Sequence, residues 1–226
     1  MKNKLAILLS SIFFLFTLYV KSSDSTKLIK YTPDFRFTDG VYITFNQVKN
    51  NSPIEKARIL TTIDYNDKDF FKRITSENTI SYYNNLGKKI DVPLKNIWGF
   101  ADNGNLYIKV DYNFYKITII GSICHFIAYI TTYDYNNSPY YGYNGYSVSY
   151  TPPTEKSDLK EYILDFNTGK RLEYTIKNLE ILLIKDEELY SEFVSLSKRK
   201  KKQLKYTYIR RFNTRNPIFL PENSLF

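Results

Sequence analysis

The residues that first invite a chemical reading are Cys124 and His125. A thiolate beside an imidazole is a potent nucleophile, and the chain holds one cysteine and one histidine, so neither has a substitute elsewhere. Their adjacency works against them. Ile123 to Tyr133 is rich in β-branched and aromatic residues and reads as a strand, where successive side chains point to opposite faces. Cys124 is therefore expected as a small buried hydrophobe, and His125 as a polar strand or rim residue. Carboxylate chemistry is the other option: Asp64, Asp67, Asp69, Asp91, Asp102, Asp111 and Asp134 could bring two acids into one cleft, although no spacing singles out a pair. The sequence contains no Gly-rich phosphate loop, no Gly-x-Ser-x-Gly elbow and no His-Glu-x-x-His helix. A lone Cys cannot form an intrachain disulfide, and a zinc site would lack ligands. No catalytic, cofactor-binding or metal-ligating residue is assigned, and no cofactor is expected.

Two stretches suit binding rather than reaction. From Tyr129 to Tyr150 the composition shifts to Tyr, Asn, Gly, Ser and Pro, which predicts a long exposed loop, and Tyr140, Tyr141 and Tyr143 at its centre offer rigid apolar faces with polar tips for a sugar ring or a partner protein. Between Leu196 and Asn216 stand nine basic residues and no Asp or Glu. Five of them, Lys198, Arg199, Lys200, Lys201 and Lys202, are consecutive, so around a helix at least one must approach the packed side. Such a cluster attracts anionic membrane surfaces or glycans; a merely solvated helix face is the plainer account, and nucleic acid is not expected as a partner.

The elements that must position these residues follow from pattern. Thr44 and Gln47 stand at capping-box spacing ahead of a short helix from Phe45 to about Asn50. Short runs follow at Ala57 to Ile63, Thr79 to Asn84, Ile97 to Ala101, Leu106 to Asp111, Phe114 to Ile120 and Ile123 to Tyr133, joined by turns such as Asp102-Asn103-Gly104-Asn105 and Leu86-Gly87-Lys88-Lys89. Asp67 to Ile74 reads as one helical insertion capped by Asp67. Tyr162 to Phe166 and Arg171 to Tyr174 flank a hairpin turn at Asn167-Thr168-Gly169-Lys170. Leucine and aromatic residues then recur at helical intervals through three helices, the second capped by Asp186 and the third starting at Ser197. The fold class is α+β: an antiparallel β-meander sheet or partly open barrel, with a short N-terminal helix and a helical C-terminal segment packed on the sheet.

The chain opens as a targeting sequence does. Lys2 and Lys4 precede an apolar run from Leu5 to Val20, and Val20 and Ser22 suit cleavage after Ser22. Sixteen residues fall short of the roughly 20 that span a bilayer. The organisation read from the sequence is a signal peptide at 1–22, an extended N-terminal segment at 23–38, a β-rich domain at 39–174 carrying the Tyr-rich loop 134–150, C-terminal helices of the same domain at 175–216, and a tail at 217–226. The mature chain would carry 29 basic and 23 acidic residues. Its location would be periplasmic or secreted, with retention by an uncleaved N-terminus as the rival outcome.

Taken together, Asp39-Gly40-Val41-Tyr42 with Thr44-Phe45, Asn96-Ile97-Trp98-Gly99-Phe100, Gly121-Ser122-Ile123-Cys124-His125-Phe126, Leu179 to Leu183 with Asp186 to Phe193, and Tyr208-Ile209-Arg210-Arg211-Phe212-Asn213 before Arg215-Asn216-Pro217 resemble uncharacterised secreted proteins of Bacteroidota. The resemblance implies a periplasmic or surface location and carries no activity, so no site residue comes from it. The expected function is a non-enzymatic binding or structural module of the cell envelope, with an envelope protein, a glycan or an anionic lipid surface as partner. The alternatives are peripheral association with anionic lipid or lipopolysaccharide through the basic helix 197–213, and a carboxylate-dependent hydrolase.

Overall fold

The computed structural model describes residues 27–134 and 154–222. The expected signal peptide and most of the Tyr-rich loop, including Tyr140, Tyr141 and Tyr143, lie outside the described residues.

The first turn signals act locally. Strand β1 (Leu28–Lys30) precedes β2 (Gly40–Tyr42), and helix α1 (Phe45–Lys49) starts at Thr44, whose side chain accepts from Gln47 N while the Gln47 side chain accepts from Thr44 N at 3.1 Å, the reciprocal cap predicted. β3 (Ile54–Glu55) and β4 (Ile59–Leu60) are separated by a 3₁₀ turn, Lys56–Arg58, which breaks the single strand expected from Ala57 to Ile63. Helix α2 (Phe70–Ile74) is shorter than expected. Asp67 accepts from Asp69 N at 2.8 Å and caps the turn before the helix rather than the helix itself.

β5 (Thr79–Tyr83) pairs with β6 (Lys89–Pro93), a strand the sequence reading passed over because Lys, Asp and Pro dilute its Ile90 and Val92 alternation. β7 (Gly99–Asp102), β8 (Asn105–Val110), β9 (Asn113–Ile119) and β10 (Ile123–Asp134) form the predicted meander. Asn103 and Gly104, with φ of 50° and 72°, make the tight β7–β8 turn. β10 runs antiparallel to β11 (Thr154–Asp165) over twelve residues each. β10 ends one residue past the expected Tyr133, and β11 begins eight residues before the expected Tyr162, because each ribbon strand supplies the other's backbone partners even where the side chains are polar.

After β12 (Arg171–Glu173) come α3 (Ile176–Leu183), α4 (Glu187–Ser195) and α5 (Lys198–Arg215), capped by the side chains of Thr175, Asp186 and Ser197. β13 (Phe219–Pro221) then pairs with β1, so the segments expected as an N-terminal extension and a tail form a two-stranded ribbon.

The large sheet has eight strands in the order β12-β11-β10-β9-β8-β7-β2-β3, and β4-β5-β6 is a second sheet. Helix α1, beside β2, reaches the β11–β12 turn: the Phe45 ring lies 5.3 Å from Phe166, and Lys49 Nζ donates to Asn167 O at 3.3 Å. The large sheet does not close into a barrel. The inner face packs Tyr42, Leu106, Ile108, Cys124, Phe126 and Leu164 with Phe37 and Val48. Trp98 is partly buried there against Phe45. The outer face has two covers. α2 and the small sheet enclose Val41, Phe100 and Ile80 with Phe70, Phe71 and Ile74, while α3 to α5 enclose Ile123 and Ile163 with Leu179, Phe193, Ile209 and Phe212. The C-terminal helical segment packs on the sheet as predicted.

Candidate functional site

Strand alternation separates Cys124 from His125 as the sequence required. Cys124 is fully buried in the inner core, its Sγ 3.3 Å from Gly121 O, and burial pushes its thiol up to about 12, where it is no nucleophile at neutral pH. His125 is a strand residue, one of the two positions expected for it, and does not lie on a rim. It is 2% exposed beneath α5, ringed edge-on by Tyr174 and Tyr206 at 4.9 Å each. Its Nε2 stands 3.2 Å from Tyr206 Oη, and that hydroxyl donates to Glu161 Oε1 at 3.2 Å. On the other side of the ring, Nδ1 faces Thr118 Oγ1 at 3.4 Å, and that hydroxyl donates to His125 O at 3.0 Å. Burial is the main cause that holds the His125 pKa below its usual value, Lys205 acting in the same direction and Glu161 against it. Lys205 Nζ lies 3.7 Å from the Tyr174 ring centroid and donates to Tyr174 O at 3.0 Å. The cluster is closed over by the helix and reads as the polar seam that fixes α5 on the sheet, not as a reaction centre.

The basic run divides in two. Lys201 is the lysine that turns inward: its side chain is 14% exposed, bonds Glu180 at 2.8 Å and lies over the Phe193 ring. Lys198, Arg199, Lys200 and Lys202 are exposed and make no ion pair or side-chain hydrogen bond among the described residues. Farther along, Arg211 grips Glu192 through two bonds of 2.6 Å, and Arg215 reaches Asp186 and Glu188 at 2.7 Å. With Tyr208 also donating to Glu192, these contacts hold that carboxyl down at about 2.

Most of the candidate carboxylates are absorbed by turns or by a cross-strand pair. Asp64 accepts from Asn66 N, Asp67 from Asp69 N and Arg73, and Asp91 from Ser81, while Asp111 occupies a turn with φ of 54°. The Asp134 side chain lies outside the described residues. Asp69 and Asp102 do converge, together with Glu77, on a groove of about 890 Å³ in the outer face, between the α2 cover and the exposed end of the meander. Its floor is an aromatic strip that strand register builds: Phe100 on β7 stands opposite Tyr107 on β8, their rings stacked at 4.7 Å, and Phe114 on β9 lies 5.3 Å from Phe100. Tyr112 and Tyr129, 89% and 58% exposed, stand on its rim with Tyr115, whose hydroxyl donates to Tyr129 O at 2.7 Å. Lys68, Lys72, Ser76 and Asn78 supply polar groups along the α2 wall. Burial is the first cause that raises the Asp102 carboxyl above its usual pKa, followed by Asp39; Asp69 adds to it and Lys56 opposes it.

Sequence reasoning missed this groove. Its signal was available in the aromatic residues at same-face positions of three consecutive strands, Phe100, Tyr107 and Phe114, a ladder that appears only once the register is known.

A smaller cleft of about 350 Å³ lies where Lys49, Ser122, Asp165, Lys185 and Asn216 meet Phe212 and Ile218. Its polar groups already serve one another: Asp165 accepts from Lys185 Nζ at 3.0 Å, from Asn167 N at 3.0 Å and from Thr168 Oγ1 at 3.0 Å, and Ser122 donates to Asn216 O. It reads as a joint between hairpin and helices. Among the described residues no three His, Cys, Asp or Glu side chains group around a common metal position, and no helix is long and apolar enough to cross a membrane.

Comparison of the chain with family models, curated proteins and solved structures finds no match, so no residue role is transferred and the site rests on its own geometry.

Proposed function

We propose that the protein is an exported, non-enzymatic binding module of the cell envelope whose outer-face groove takes a neutral saccharide chain. The observation that carries this reading is the pair of half-buried rings Tyr107 and Phe114, backed by the buried Phe100 and rimmed by Tyr112, Tyr115 and Tyr129 in one open groove. Sugar rings present apolar C–H faces that pack on aromatic faces, and their hydroxyls need the amide, hydroxyl and charged groups that the α2 wall provides. Two lysines face three carboxylates along the lining, so the groove carries no strong field for an ion. The export half of the reading rests on the segment from Lys2 to Ser22.

Titration calorimetry of the exported protein against soluble neutral oligosaccharides tests it. Saturable binding is expected, weakened about tenfold or more by Tyr112→Ala with Tyr129→Ala, since one stacked ring is worth on the order of 1 kcal/mol. Both side chains are exposed, so thermal stability should be unchanged. No binding across neutral oligosaccharides of differing linkage overturns the reading. The hydrolase alternative is favoured by one observation, the raised Asp102 carboxyl sharing the groove with Asp69. Cleavage of a bound oligosaccharide that is lost in Asp102→Asn would decide for it.

A further inference from the structure

The five consecutive charges at the start of α5 are not one surface. At 100° per residue, the side that meets the body carries Lys201, Lys205, Tyr208, Ile209 and Phe212, all at least partly buried. The opposite side carries Arg199, Lys200, Gln203, Thr207, Arg210 and Thr214, all exposed. No acidic residue occurs within α5, and Arg199, Lys200 and Arg210 make no ion pair or side-chain hydrogen bond among the described residues. Lys198 and Lys202 are also exposed, although their angles lie nearer the inward side. The inward bases Lys201 and Lys205 and the lateral Arg211 and Arg215 all have carboxylate partners. The bases on the outward side are thus all unpaired among the described residues, and those that pair lie inward or to the side.

Helix stability does not account for the unpaired set. Cations in the first turn oppose the helix dipole, and like charges side by side repel. What remains is an outward line of cations from Arg199 to Arg210, about 17 Å at 1.5 Å per residue, interleaved with Gln and Thr hydrogen-bonding groups and ending in a shallow depression framed by Thr207, Arg210, Arg211, Thr214 and Arg215. Charge spread along a convex line, rather than gathered in a pocket, complements a planar array of anions.

We propose that the outward face of α5 docks the protein on the surface of a bilayer containing acidic phospholipid, with Arg199, Lys200 and Arg210 contacting phosphate headgroups and Lys198 and Lys202 adding long-range attraction. The face is distinct from the saccharide groove, and neither reading depends on the other. Binding would be peripheral and salt-sensitive, since screening shortens the reach of exposed charge to about 10 Å at 0.1 M salt.

Co-sedimentation of the exported protein with vesicles tests this, comparing phosphatidylglycerol–phosphatidylcholine mixtures with phosphatidylcholine alone. At ~50 mM salt, where screening is still weak, partitioning to acidic vesicles is expected to exceed that to neutral ones by about tenfold or more, the contribution of a few contacting bases, and the excess should vanish at ~1 M salt, where the screening length is about 3 Å. The triple variant Arg199→Gln, Lys200→Gln, Arg210→Gln should lose the excess with an unchanged melting temperature. Lys201→Gln should do the reverse, melting earlier while the folded protein still binds. Equal partitioning of wild type to acidic and neutral vesicles overturns the proposal. So does a triple variant that binds as wild type does, or a wild type captured by a soluble anionic glycan but not by acidic vesicles.

Discussion

The side chain of Asn213 pairs with the backbone of Ile123 as a neighbouring strand would: its Oδ1 accepts from Ile123 N at 2.8 Å and its Nδ2 donates to Ile123 O at 2.9 Å. One helix residue thus satisfies both polar groups at the start of β10, and a Cβ added at Gly121 would overlap that amide. Asn213→Leu should destabilise the fold by about 2 to 4 kcal/mol, because two part-buried backbone groups lose their partners at once. Gly121→Ala should act on the same joint, so the two costs should fall short of additivity in urea unfolding. Full additivity would mean that the close approach is not what holds the helix.

His125 predicts a pH dependence. Its folded pKa lies below the unfolded value of about 6.5, so on acidification the unfolded chain takes up the proton first and stability falls as pH drops below that value. Lys205 opposes protonation from α5, while Glu161 on β11 favours it; Tyr174, Tyr206 and Thr118 complete the surroundings. Urea midpoints measured from pH 7.5 to 5 should decline for the wild type and decline less for His125→Gln. An identical slope in both would assign the loss to carboxylates instead.

Cys124 should resist a bulky maleimide in the native state and react once unfolded, since its sulfur is wholly enclosed and its thiol is pushed up to about 12. Cys124→Ala should cost about 1 to 3 kcal/mol through lost packing and leave ligand binding intact. Rapid native labelling would contradict the burial.

Asp102 carries the opposite sign to most surface acids. A carboxyl whose folded pKa is raised destabilises the fold once pH climbs above its unfolded value, so Asp102→Asn should raise the melting temperature at pH 7, with the gain disappearing below about pH 4, where the unfolded carboxyl is also protonated. Saccharide affinity should fall in the same variant. A group that gains stability when removed and loses binding is one kept for the groove.

Much of this architecture was legible without coordinates, where the signal is local. The capping pair Thr44 and Gln47, the Asn103-Gly104 turn, and the Asp186 cap each encode their geometry within four residues. The Cys124–His125 alternation also needed only a strand assignment. Polar strands escaped: Thr154 to Glu161 and Lys89 to Pro93 are held by a partner strand and not by their own apolar pattern. Pairing across sequence distance is invisible in either strand alone.

The sequence by itself determined the meander, the three C-terminal helices, the burial of Cys124, and the rule that one of five consecutive charges must turn inward. Only the tertiary structure decided that this one is Lys201, because the choice depends on where Glu180 and Phe193 of α3 and α4 stand. It also buried the strand residue His125 by laying Tyr206 over it, and brought Phe100, Tyr107 and Phe114 into one strip with Asp69 and Asp102. Period and capping act over a few residues, whereas a site is made of groups that the folded chain brings together from distant positions, and that proximity exists only after the sheet has formed and its covers have packed.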